Sequence, residues 1–195
     1  MSTIRAEGCY NGYMNKSTSW GKVATWYNNL IENDANSYQK ELILPNLIRL
    51  LGIQKGEVIL DLACGQGFFC REFAKLGARV IGVDISPELI NIARQDKSIE
   101  YHVAPADKLD FLQKKSIDKV VIILSLQNIE NVNDVIREVN RVLKPKGKLF
   151  IVFNHPAFRI PKESSWEWDD LKKIQYRRLD SYLSESKEQI QMHPG

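Results

Sequence analysis

The sequence predicts a doubly wound α/β fold, a mostly parallel sheet with helices on both faces. Three stretches carry this expectation. Val58-Ile59-Leu60 is a short apolar run that ends in Asp61 and opens into Cys64-Gly65-Gln66-Gly67, where two glycines permit a tight turn and close backbone approach to a ligand. Val80-Ile81-Gly82-Val83 is a second apolar run, and it too ends in an acid, Asp84. Between them Phe69, Phe73 and Leu76 fall at i, i+4 and i+7, the stripe of a helix that packs on a sheet, with Gly77 suited to its left-handed cap. Strand, glycine turn, helix, strand and terminal acid make the nucleotide-binding half of such a sheet. The third stretch, Asp118 to Leu124, is apolar without alternation, as a strand buried on both faces should be.

The remaining elements follow in order. Residues 1–19 are polar and read as a loose arm. From Trp20, Val23, Trp26, Tyr27 and Leu30 keep helical spacing, and a second helix runs from Tyr38 to Leu51, ends at Gly52, and is kinked or restarted by Pro45. Ser86-Pro87-Glu88 starts a helix as N-cap, first-turn proline and dipole-complementing acid, with Leu89, Ile92 and Ala93 inward. Ile99 to Val103 is a short strand, and Ala104-Pro105-Ala106-Asp107 is the loop after it. Val132, Val135, Ile136, Val139, Val142 and Leu143 make an amphipathic helix that stops at Lys144-Pro145-Lys146-Gly147, before a strand over Lys148 to Phe153. Beyond Asn154 no run reads as a strand, and residues 163–190 are polar and partly helical in pattern.

The chemistry of the turn selects among nucleotides. A pyrophosphate cradled at a helix N-terminus is ill served by Asp61 beside it, and no Lys or Arg lies between Gly56 and Cys70. Cys70 also stands where the third glycine of a dinucleotide fingerprint belongs. These features disfavour an NAD-dependent dehydrogenase. S-adenosylmethionine has no phosphate, carries a sulfonium and an ammonium, and offers two ribose hydroxyls that Asp84 could accept. Asp61-Leu62-Ala63-Cys64-Gly65-Gln66-Gly67, Val83-Asp84-Ile85-Ser86 and Arg141-Val142-Leu143-Lys144-Pro145-Lys146-Gly147-Lys148-Leu149 resemble the class I S-adenosylmethionine-dependent methyltransferase family, over about residues 20 to 155.

The resemblance implies a Rossmann-like single domain spanning 1–195. It comprises the arm (1–19), an N-terminal helical lid (20–52), a cofactor-binding core (56–154) and a substrate-side tail (155–195). It implies a cofactor site of Asp61 toward the methionine ammonium, Ala63, Gly65 and Gly67 in the turn, Asp84 on the ribose and Ile85 flanking adenine. Ala106 and Asp107 would meet the adenine ring and its amino group, Ser125 or Leu126 would offer a backbone contact near the methionine, and Trp20 and Tyr27 would serve as an aromatic lid, with Tyr38 a third candidate. Pro105 occupies the position where the family carries its adenine-contacting acid, so Asp107 would act from two residues on. The family's sheet closes with two more strands, one antiparallel. Their absence means that this chain is a fragment, or that the strand at 148–153 is an edge to be covered by the tail or by a second copy in a homodimer.

The expected reaction is in-line methyl transfer to an unidentified, small-molecule acceptor, with S-adenosylhomocysteine as product. Alignment and exclusion of water dominate such a step, so a strong base is optional. His155 and Gln127 are the candidate catalytic residues, while Asn128 would orient a substrate group. His102, His155 and His193 are scattered and lack metal spacing, so no metal is expected. Cys64 reads as a space-filler. The alternatives are a cofactor-binding protein of this fold without turnover, and a methyltransferase acting on RNA or protein. A net charge of +3 over 195 residues neither demands nor forbids a nucleic-acid partner. Three cysteines, no apolar leader and no membrane-length run point to a cytoplasmic protein without membrane attachment.

Overall fold

In the computed structural model, residues 24–33, 37–155, 164–180 and 182 are described. The chain forms two compact units, residues 1–152 and 153–195. The first holds a five-stranded, all-parallel sheet in the order β3-β2-β1-β4-β5. The strands are β1 (Val58–Leu62), β2 (Arg79–Asp84), β3 (Glu100–Val103), β4 (Ile117–Ile123) and β5 (Leu143–Val152). From β1 the chain winds outward through β2 and β3, then returns to lay β4 and β5 on the other side. The order therefore reverses between β1 and β4, and the crevice beyond their carboxyl ends is where such sheets bind ligands.

Alternate residues of each strand feed two cores. Ile59, Val80, Val121 and Ile123 face α3 (Phe68–Lys75), α4 (Pro87–Ala93) and the N-terminal helices, packing with Phe69, Phe73 and Ile90. Leu60, Leu62, Ile81, Val83, Val120 and Ile122 face α5 (Val132–Val142), through Val135, Val139 and Val142. Helices on both faces are what runs without polar alternation require. In α4 it is Ile90, not Ile92, that joins Leu89 and Ala93 as fully buried. Ser86 caps this helix as expected, its Oγ accepting from the Leu89 N–H at 3.3 Å.

The N-terminal part is α1 (Ala24–Asn33), a π-helical turn (Gln39–Ile43) and α2 (Leu44–Leu51). The register change falls where Pro45 was expected to disturb the helix. The Leu44 N–H reaches back five residues to Gln39 O, and the proline nitrogen that follows has no hydrogen to donate. Ile31, Ile43, Leu47 and Leu51 anchor this segment in the α3-side core.

β5 begins at Leu143, five residues before the expected start, because Leu143 pairs with Ile117 ahead of an irregularity and Lys148 resumes with Lys119. Among the described residues no strand pairs with the outer edge of β5. The second unit corrects the expectation of a partly helical tail. Its Ser164–Asp169 (β6) and Ile174–Leu179 (β7) form an antiparallel hairpin, a separate two-stranded sheet. Alternation over Trp166-Glu167-Trp168 and Ile174-Gln175-Tyr176 is the period-two signal, diluted by the charges around it.

Candidate functional site

Both central strands end in a strained turn. Ala63, after β1, has φ 61°, and Leu124, after β4, has φ 54°. Left-handed backbone is costly for residues with a Cβ and clusters at sites where the surroundings impose it. These two residues stand at the crevice, and Leu124 is fixed there by its N–H donating to Val152 O at 2.7 Å.

Two adjoining cavities open beyond the strand ends. The larger, ≈ 430 Å³, is walled by Ala63, Asp84 and Ile85, by Ala104 to Asp107 after β3, and by Asn128 to Asn131 before α5. The smaller, ≈ 140 Å³, shares Ala63, Asp84, Ile85, Asn128 and Ile129 and adds Gly65, Leu89 and Ile123 to Ser125. The larger volume alone lies in the range of small-molecule sites, roughly 300–1,000 Å³. Its charged wall residues are Asp84, Asp107 and Glu130, and among the described residues no Lys, Arg or His lines either cavity.

Asp84 is the hub. One carboxylate oxygen accepts from the Gly65 N–H at 2.8 Å and the other from the Ser86 N–H at 2.9 Å, tying the glycine turn to the start of α4. Each oxygen keeps a lone pair for a ligand hydroxyl. Burial raises its pKa, and the backbone donors of Ser86, Gly65 and Ile85 hold the rise back.

Asp61 lies deeper, 1% exposed, on the α3-facing side of β1. It lines neither cavity, and its Oδ2 accepts from the Cys70 thiol at 3.2 Å. Burial pushes its pKa up to about 7, the thiol bond lowers it, and the charge of Asp84 raises it further. Unfolded, this acid loses its proton near 3.8, so from there to about pH 7 the folded state holds a proton that the unfolded state has released. Stability contributed by this group therefore falls as pH rises through that window and stays low above it. Asp61→Asn is expected to raise the Tm, more at about pH 8 than at about pH 5; a thermal melt showing equal shifts at both would remove the buried-acid account.

Of the other anticipated residues, Ala63, Gly65, Ile85, Ala106, Asp107 and Ser125 come together at the cavities. Asp107 accepts from Asn131 Nδ2 at 3.4 Å across the larger cavity, and Pro105 lines it too. Gly67 lies outside both. A Cβ there would fall 2.5 Å from the Tyr101 hydroxyl, so this glycine makes room for Tyr101. Leu126 packs its side chain into the α5-side core. Gln127 is exposed and donates through Nε2 to Leu124 O at 2.8 Å, the turn-capping role.

Cys64 and Cys70 are both held protonated by burial, Cys64 with its pKa pushed up to about 11. His102 sits on β3, bonded to Glu100 at 2.8 Å and stacked on Phe111. His155 belongs to the second unit, where its ring stacks on Tyr182. Trp20 and His193, with the side chain of Tyr27, lie outside the described residues. Tyr38 is exposed, and no described residue of 24–51 lines either cavity. Sequence reasoning missed Leu124, Glu130 and Asn131. Asn131 had a readable signal, an N-cap residue directly before an apolar periodic run, although its side chain turns to Asp107 instead of capping.

The donor set suits a cation bearing hydroxyls. Asp84, its pKa raised by burial and with no basic residue beside it on the described cavity walls, is relieved by a positive ligand, whereas a pyrophosphate would meet three acids.

Comparison with known proteins agrees. A family model described as a methyltransferase domain matches residues 60–151. The chain is 36% identical over 113 residues to a demethylmenaquinone methyltransferase of Tropheryma whipplei, covering 55% of this chain and 46% of that one. It is 34% identical over 128 residues to a ubiquinone biosynthesis O-methyltransferase of Xanthomonas oryzae pv. oryzae, covering 60% and 54%. The chain thus spans about half the length of the curated relatives it matches. A crystal structure of an S-adenosylmethionine-dependent methyltransferase from Mesorhizobium loti superimposes with a TM-score of 0.63 at 31% identity, covering 76% of this chain and 67% of that one. This chain belongs to the class I S-adenosylmethionine-dependent methyltransferase family.

Proposed function

We propose that the protein binds S-adenosylmethionine in the two adjoining cavities and transfers its methyl group to a small, quinone-type aromatic acceptor. The observation that carries the cofactor reading is the wall of Asp84, Asp107 and Glu130, with no Lys, Arg or His among the described lining residues. The acceptor class rests on the names of the two quinone-related relatives.

When bound, the cofactor supplies a methyl group activated on a sulfonium. The chain's own residues would do the rest. Asp84 accepts ribose hydroxyls while its Gly65 and Ser86 bonds hold it in place. Ile85, Ala106 and Asp107 flank the adenine side, and Gly65 and Ser125 the methionine side. Asp61, beneath the turn and outside both cavities, would add negative charge near the ligand once it ionises, above about pH 7. Ala63, Leu124 and Ile129 present an apolar wall that limits water. Such a site works mainly by alignment and desolvation, so no titrating base on the cavity wall is needed.

Titration calorimetry with S-adenosylhomocysteine and with NAD tests the cofactor. Saturable binding of the first and none of the second is expected; uptake of NAD in its place would overturn the reading. Mass spectrometry of catechol and hydroquinone acceptors incubated with the protein and S-adenosylmethionine should show the gain of one methyl group. A panel left unmodified by a protein that binds the cofactor would remove the acceptor class.

A further inference from the structure

Beneath the glycine turn lies a polar pair that the site described above does not use. Tyr101 pairs with Gly82 across β3 and β2, and its ring crosses the face of that glycine. A Cβ on Gly82 would meet the ring at 2.5 and 2.6 Å, and one on Gly67 would meet the hydroxyl at 2.5 Å. The ring therefore runs in a slot left by two missing side chains and carries its hydroxyl to the underside of the turn. That hydroxyl is buried, on a residue 5% exposed, and has no partner among the described residues.

One position before Gly67, Gln66 is 1% exposed, and its Nε2 is likewise buried without a partner among the described residues. Its orientation is fixed by chemistry. Arg71 donates from Nη2 to Gln66 Oε1 and from Nη1 to Gln66 O, each at 2.8 Å. A guanidinium only donates, so the carboxamide must turn its oxygen to Arg71 and leave the NH₂ at the other end. The Tyr101 hydroxyl lies against Gly67, the residue directly after Gln66, so both groups sit under the same turn. An unpaired buried hydroxyl or amide costs about 1–3 kcal/mol, and Phe would fill the same slot without that cost.

We infer that Gln66 and Tyr101 are positioning residues, a donor and an acceptor that close a hydrogen bond under Gly67 when the turn settles on bound cofactor. The inference rests on the cofactor reading above. Free, the turn carries two unsatisfied groups; loaded, it is latched from below, and part of the ligand's affinity comes from the latch.

The experiment compares wild type, Tyr101→Phe, Gln66→Met and the double variant by thermal melting without ligand and by calorimetry with S-adenosylhomocysteine. Without ligand, Tyr101→Phe should melt at the wild-type temperature or above it. With ligand it should lose about three- to tenfold in affinity, the worth of one net hydrogen bond. The double variant should lose no more than the weaker-binding single variant. A ligand-free melt lowered by several degrees would mean that the hydroxyl is already bonded, and would overturn the inference. So would unchanged affinity in Tyr101→Phe, or losses that simply add. Wild type that fails to bind S-adenosylhomocysteine would instead remove the cofactor reading, and the latch with it. Should Gln66→Met not fold, the two Tyr101→Phe measurements decide alone.

Discussion

Asp84→Ala is expected to weaken S-adenosylhomocysteine binding by about 2 to 3 kcal/mol, roughly 30- to 150-fold, through loss of charge-assisted hydrogen bonds to the ribose. Two effects act together. The ligand hydroxyls lose an acceptor, and the N–H groups of Gly65 and Ser86 lose theirs, so the turn and the start of α4 are no longer tied to one point. Asp84→Asn should be nearly as damaging. Both carboxylate oxygens accept from backbone N–H groups, so an amide NH₂ on either side faces a donor. Calorimetry decides, and an affinity left intact in Asp84→Ala would end the ribose role.

Gly82→Ala is expected to cost about 3 kcal/mol of folding stability, the upper end of ordinary overpacking. The new Cβ would meet the Tyr101 ring at 2.5 and 2.6 Å and Cys64 Sγ at 3.0 Å. None of these can yield easily, because Tyr101 is buried and the hydroxyl end of its ring lies against Gly67. Urea or thermal unfolding measures the loss. Adding Tyr101→Leu should recover part of it, since the shorter side chain vacates the slot; a melting temperature unmoved by Gly82→Ala would contradict the packing described.

Much of this was readable in the sequence, because local signals and tertiary structure agree where strands are apolar and helices striped. Val58 to Leu60, Val80 to Val83 and Val120 to Ile123 are strands; Asp84 ends the second, while Asp61 lies within the first, one residue short of its end. What escaped depends on partners far away in the chain. Nothing near Gly82 announces that it must be bare; the reason is a ring 19 positions on that lies across it. Gly67 looked like a ligand-facing glycine and is one that accommodates the same ring. Asp61 was legible as an acid at a strand end but not as one turned toward α3, since that depends on which face of the sheet Cys70 occupies. The hairpin of β6 and β7 was hidden because its alternation is short and interrupted by Asp169, Asp170, Lys172 and Lys173 at the turn. Glu130 and Asn131 reached the larger cavity through the path of a connecting loop, which propensity does not specify.

The left-handed tips at Ala63 and Leu124 bear on any attempt to make the protein more heat-tolerant. Glycine at either position would ease the backbone, and a screen for higher melting temperature would be drawn there early. The same exchange would loosen the two lips of the cavities proposed to hold the cofactor. Gains in endurance at these positions should be paired with slower turnover, so the protein engineer should look elsewhere first.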